Sequence, residues 1–334
     1  RLYQEAGRPL DYFIYRLLFL MPAPLAVAKG AAVLAWALCG WLQCIVLVNA
    51  GGLRPAMARW VSALAVVLPV FDVLGDVTFW THGVELLAFW LAVVLVARGR
   101  PAGSMPRVAW RIAIWGLFIV AFNLNSLLVF FHALWLALWL MRTDGKPLKE
   151  TLRDGIVRLR GSIDLALLPM VFWTAKLVFT PTHGGYADYN RIDTDVGRLM
   201  AGCGRTLHGF LLPEIMQAVR TPGAAWAAGA GLLAAIAFVV IGKRRGRSAV
   251  SWDCRPWSQL LAPSVLLFAA AVLPYLLVGQ DLVSHGWAAR NCILTPLPLA
   301  LGLAGIAALI ESRLPSRGGG IAPCLLAVLL AAAA

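Results

Sequence analysis

With 334 residues, 60% of them apolar and 13% charged, the chain lies far from the roughly 25% charged composition of a soluble domain, which excludes an ordinary water-soluble enzyme. A net charge of +13 suits nucleic acid in other chains, but here the basic residues crowd short loops beside apolar stretches, where cytoplasmic loops of membrane proteins carry them. Six cysteines, Cys39, Cys44, Cys203, Cys254, Cys292 and Cys324, are scattered without a CxxC pair, so neither a disulfide framework nor a zinc site is expected.

The sequence predicts an all-α, polytopic integral membrane protein. Leu10 to Met21 is apolar but short, carries Asp11 and Arg16 and stops at Pro22, so residues 1–22 read as an outer-face segment with an interfacial helix. Residues 23–334 read as one helical membrane domain. A first span covers 24–49 and ends at Asn49-Ala50-Gly51-Gly52. Residues 60–97 exceed one span and break at Phe71-Asp72-Val73-Leu74-Gly75-Asp76, giving helices near 60–75 and 79–97. Residues 112–141 carry no charge, and Asn123-Leu124-Asn125-Ser126 is the weak point. A single span would place the cluster Arg142/Lys146/Lys149/Arg153/Arg158/Arg160 outside; a hairpin of 107–122 and 125–141 keeps it inside with Arg54/Arg59, Arg98/Arg100/Arg107/Arg111, Lys243/Arg244/Arg245/Arg247/Arg255 and Arg313/Arg317. Residues 162–180 lead outward to a long outer loop, 181–222, whose part from Val196 to Val219 suits an amphipathic helix. Spans near 223–242, 259–279 and 293–311 follow, and another begins at 321, for a total of about nine full spans and a truncated tenth. Both ends read as cut, and parity calls for an upstream helix. The implied location is the bacterial inner membrane.

Four outward features carry the chemistry. Asp72 and Asp76, with His82 and Glu85 nearby, form an acidic turn that either supplies a general base or a hydroxyl-holding carboxylate or merely caps the next helix. The loop that opens with Phe179-Thr180-Pro181-Thr182-His183-Gly184-Gly185-Tyr186-Ala187-Asp188-Tyr189-Asn190 is a substrate-binding loop or an aromatic-belt connector. Lys176 before it is an intramembrane cation, a site candidate by default unless it snorkels to the surface. Arg290, in Ser284-His285-Gly286-Trp287-Ala288-Ala289-Arg290-Asn291, suits a lipid phosphate, with His285 to assist, or anchors its helix at the headgroups. Gly7-Arg8-Pro9-Leu10 opens the interfacial helix. His132 reads as a packing residue. No phosphate-binding loop, nucleophile elbow or HExxH motif is present.

Together the GRPL segment, the FDVLGD turn, the long central outer loop and the outward arginine of HGWAARN resemble the GT-C superfamily of polytopic glycosyltransferases. NLNSLLVFF and FWTAKLVFTPTHGGYADYN are similar to segments of bacterial membrane proteins of this build. The resemblance implies transfer of a sugar from a polyprenyl-phosphate donor to an envelope acceptor on the outer face. Asp72 or Asp76 would deprotonate the acceptor, and Arg290 would hold the phosphate. His285, Lys176, Arg8, Tyr186, Tyr189 and Asn190 would help to bind lipid phosphate or substrate. No cofactor is implied, and metal dependence stays open. The family's principal acidic residue lies in the first outer loop; only Glu5 and Asp11 remain there, and neither forms a DD or DE pair. A transporter or lipid flippase, or a non-catalytic membrane subunit, is the alternative.

Overall fold

Proline stands at the start of the first three helices, where its missing N–H costs nothing and its fixed φ suits helix entry. In the computed structural model of the chain, these helices are α1 (Pro9–Phe19), α2 (Pro24–Asn49) and α3 (Pro55–Val67). They are followed by α4 (Phe79–Arg98), α5 (Arg107–Phe122), α6 (Ser126–Met141), α7 (Ile163–Phe179) and α8 (Val196–Thr206). The series ends with α9 (Ser258–Leu277), a 3-10 helix (Trp287–Cys292) and α10 (Pro296–Arg313). The structure describes residues 8–68, 79–100, 106–142, 162–182, 184, 195–206, 257–280, 282 and 287–313. Among them 84% are helical and none is in a strand.

Among the described residues three helices, α2, α4 and α9, have the length and composition to cross a membrane, with 26, 20 and 20 residues. The apolar helices α5, α6 and α7 have 16, 16 and 17 residues, or roughly 24–26 Å at 1.5 Å per residue, somewhat short of a hydrocarbon core of about 30 Å. The break expected at Asn123–Asn125 is present as a tight turn between α5 and α6. The expected boundaries of α2, α4, α7 and α9 agree with the structure to within a residue or two. The span expected at 223–242 and the one beginning at 321 lie outside the described residues.

Neighbouring helices form a circuit: α5 packs on α4, α4 on α2, α2 on α3, α3 on α10, α10 on α9, α9 on α6, and α6 returns to α5. α7 lies against α5 and α6, α8 against α9, and α1 crosses α2 and α4. Aromatic rings fill the space between α4, α5 and α6. Phe118 meets Phe131 edge-on at 5.0 Å, stacks on Phe122 at 5.6 Å and approaches Phe89 at 6.0 Å, while Phe172 reaches Phe122 from α7 at 5.8 Å. Such pairs add about 0.5–1.5 kcal/mol each beyond their buried area. Where α9 meets α10, small residues allow close approach: a Cβ on Gly302 would lie 2.8 Å from the Ser264 hydroxyl, and one on Gly305 2.7 Å from Leu261. The outer faces are apolar, with Val33, Leu34 and Trp41 on α2 and Met170, Val171 and Val178 on α7 all exposed. Helices that are apolar both inside and out are compatible with a membrane.

The bundle has two unlike ends. At one, the Arg142 guanidinium donates to the Asn49 carbonyl, tying α6 to α2. Arg111 and Trp115 of α5 donate to the Asp164 carboxylate on α7 at the same end. The α2–α3 turn there depends on Gly52, whose φ of 68° is a conformation other residues rarely adopt. Arg54, Arg59, Arg98, Arg107 and Arg313 stand at this end too, as alternating helix direction requires. At the other end the charges turn inward.

Candidate functional site

Glu85 is the centre of that inward cluster. It lies on the second turn of α4 and is fully buried. The chain ahead of α1 lays Arg8 over it, so that Nη2 donates to Oε1 at 3.0 Å and to Oε2 at 3.2 Å. His82, one helical turn before Glu85 on the same face, places Nδ1 3.0 Å from Oε2. Asn123, at the α5–α6 turn, donates from Nδ2 to Oε1 at 2.6 Å. The same nitrogen donates to Asp11 Oδ1 at 2.7 Å, and Arg8 Nε lies 2.9 Å from Asp11 Oδ2. Asp11 is 1% exposed. Two buried carboxylates therefore share one amide nitrogen and one guanidinium.

The surroundings fix the roles of these groups. Glu85 accepts from Arg8 and Asn123 and has His82 Nδ1 beside it, so the carboxylate form is the one that satisfies these donors. With its hydrogen on Nδ1, His82 donates to Glu85 Oε2, while Arg8 Nη2 lies 3.5 Å from the same nitrogen. Asp11 has fewer donors and more to repel it. Burial first, and the Glu85 charge second, push its pKa up to about 7, against the pull of Arg8 and Asn123. A carboxyl poised near neutrality is suited to accept and release a proton.

Among the described residues, further cations lie around this pair. Lys176, on the last turn of α7, is 8% exposed and donates to Asn125 Oδ1 at 2.8 Å, close enough to feel Arg8, Glu85 and Asp11. Arg290, half-buried on the 3-10 helix ahead of α10, acts electrostatically on His82 and on Tyr275. Tyr275 donates to Ser126 Oγ at 3.0 Å, joining α9 to the start of α6. Among the described residues Arg8, Lys176 and Arg290 thus oppose Asp11 and Glu85, three cations to two carboxylates. Nearby, α8 is capped by Asp195, whose carboxylate accepts from the Gly197 and Arg198 amides. It rests its Gly202 against Leu276 near the end of α9, which realises part of the amphipathic segment expected from Val196 onward.

Of the residues expected to carry chemistry, the structure brings together Arg8, Lys176 and Arg290, and seats His82 and Glu85 of the acidic region among them. Asp72, Asp76, Tyr186, Tyr189, Asn190 and His285 lie outside the described residues. His132 is exposed and sits beside the Phe131 ring, away from the cluster. Asp11, Asn123 and Asn125 were not expected as site residues. A signal for them existed: each is a polar residue within an apolar stretch, and helix parity sends all three to the same end as Glu85 and Lys176. Among the described residues no group of His, Cys, Asp and Glu side chains could hold a metal ion. No family model, no curated protein and no solved structure matches this chain.

Proposed function

We propose that the chain is a multi-pass membrane glycosyltransferase of GT-C-like build, which moves a sugar from a polyprenyl-phosphate donor to an envelope acceptor at the outer face of the bacterial inner membrane. The observation that carries this reading is the convergence of Arg8 and Asp11 at the head of α1, Glu85 on α4 and Lys176 on α7, from three separate segments, at the end of the bundle opposite the basic loops. Charged groups inside an apolar bundle are costly and mark functional sites by default. Under the positive-inside rule, the end bearing Arg54, Arg98, Arg107 and Arg142 faces the cytoplasm, so the cluster opens outward.

In this reading the acceptor hydroxyl attacks the anomeric carbon of the sugar and its proton passes to the Asp11 carboxylate. The bond from the anomeric carbon to the phosphate oxygen breaks, and the phosphate leaves with the electron pair. Lys176 and Arg290 stabilise the departing charge in a site shielded from bulk water. Glu85 keeps Arg8 and His82 in place. The segment with Asp72 and Asp76 leads directly into α4, so a base supplied from there remains the family-like variant of the same scheme. The charged groups sit near helix ends and not at mid-depth, where transporter sites are built, which favours group transfer over transport.

The test is sugar release from radiolabelled polyprenyl-phosphate sugars by the purified protein with an envelope fraction as acceptor. Asp11→Asn and Lys176→Met are each expected to lower transfer by about 10²-fold or more while leaving the fold intact. Unchanged transfer in Asp11→Asn with loss in Asp72→Asn or Asp76→Asn would move the base to the turn. Absence of transfer with every donor would remove the enzyme reading.

A further inference from the structure

Asn123 stands between the two carboxylates and touches both. Its nitrogen, not its oxygen, must face them, because Asp11 Oδ1 at 2.7 Å and Glu85 Oε1 at 2.6 Å are both acceptors and an amide oxygen there would meet only repulsion. Each hydrogen of the amide is spent on a different carboxylate. The residue is 6% exposed and sits at the α5–α6 turn, held by helices on both sides. We propose that Asn123 is a positioning residue that keeps Asp11 and Glu85 side by side in unlike states, Glu85 as a fixed anion and Asp11 as the group that gains and loses a proton.

The asymmetry follows from what else each carboxylate meets. Arg8 Nη2 contacts both oxygens of Glu85, and His82 adds another donor to it. Asp11 has Arg8 Nε at ion-pair distance and the Asn123 hydrogen. Among the described residues the other charges near Asp11 are those of Glu85 on α4 and Lys176 on α7; Lys29 on α2 is exposed. Without Asn123 the two carboxylates would face each other with Arg8 bridging them but no amide hydrogen shared between them, and the pull on a proton would be stronger still. Glu85 keeps the better donors, so Asp11 is the one that would take it up. This rests on Asp11 as the proton acceptor of the proposed transfer, and it predicts what sets the working pH of that base.

The experiment is an infrared titration of the full chain, purified in lipid nanodiscs, following the carbonyl stretch of protonated carboxyl groups from acid to alkaline pH. It needs no substrate. The wild type is expected to show a buried carboxyl that titrates near neutrality and disappears in Asp11→Asn. Asn123→Leu, similar in volume but without donors, is expected to move that midpoint upward by about one pH unit, a tenfold gain in proton affinity. Where transfer is measurable, the acid limb of its pH profile moves with it, a shift that a merely structural residue does not produce. If Asn123→Leu fails to fold, Asn123→Ser keeps one donor and is expected to shift the midpoint part of the way. An unmoved midpoint in a folded Asn123 variant, or no titrating group that depends on Asp11, overturns the proposal. A midpoint that moves as expected in a protein that transfers no sugar leaves the role of Asn123 standing and removes the glycosyltransferase reading instead.

Discussion

Removing the Glu85 charge is the perturbation that the structure prices most directly. Glu85 is 0% exposed and the Arg8 side chain 22% exposed, with Nη2 bridging both carboxylate oxygens. Breaking one half of a buried ion pair costs about 3–5 kcal/mol. Arg8 retains Asp11 and has a route to the surface, so the lower figure applies. Glu85→Leu should therefore cost about 3 kcal/mol, roughly a hundredfold or more in the folding equilibrium. Arg8→Leu should cost a similar amount, because it strands Glu85. The double variant Arg8→Leu/Glu85→Leu should cost clearly less than the sum, with a coupling of about 2 kcal/mol, since the charge left behind by either single change is gone. Thermal melts of the detergent-purified variants, read by size-exclusion fluorescence, give all four corners of the cycle. Strictly additive losses, or single losses below about 0.5 kcal/mol, would show that the cluster does not hold α1 on the bundle and that its charges are solvated independently.

The other end of the bundle gives the contrast. Arg111 and Asp164 also make a two-point contact, but their side chains are 29% and 32% exposed, so Asp164→Asn should cost under about 1 kcal/mol in the same melt. At the α9–α10 contact, Gly305→Ala forces a Cβ within 2.7 Å of Leu261 and should destabilise by about 1–3 kcal/mol. Gly116→Ala on α5 meets nothing within 4 Å and should raise the melting temperature slightly, through helix propensity worth up to about 1 kcal/mol.

Most of the helical layout was legible in the sequence because it depends on local signals. Proline at the head of α2 and Gly51-Gly52 after its end bracket one apolar run; charge placement split 107–141 into α5 and α6 at Asn123–Asn125. The site was legible only in part. The acidic turn drew attention to Asp72 and Asp76, because two carboxylates in a short polar stretch are conspicuous. Glu85 and His82 are less so, embedded in Thr81-His82-Gly83-Val84-Glu85-Leu86, yet it is their embedding in apolar chain that forces them to find partners. Those partners come from far along the chain: Arg8 pairs with Glu85 across 77 residues and Asn123 with Asp11 across 112. No window of sequence holds such a pair. Parity does narrow it, since Arg8, Asp11, Glu85, Asn123, Lys176 and Arg290 all fall at one end once helix directions alternate.

Asp11 also makes the stability of the protein depend on pH, in a direction opposite to that of an ordinary salt-bridged carboxylate. Its folded-state pKa is raised from 3.8 to about 7, so the folded protein holds this proton more tightly than the unfolded chain does. Between those values the native state binds more protons than the unfolded state, and stability falls as pH rises. The contribution is complete below the unfolded value and is lost as pH climbs through the folded one. Melting temperatures of wild type and Asp11→Asn, measured across that window, should therefore diverge: the wild type loses stability toward neutral pH relative to the variant, whose amide does not titrate. Every other carboxyl is common to both proteins, so the difference in slope belongs to Asp11 and to the groups coupled to it. Parallel curves would mean that Asp11 keeps its ordinary affinity for protons. A carboxyl of that kind would already be ionised well below neutral pH, held there by Arg8 as a structural anion, and the base in any transfer reaction would have to come from another acidic residue.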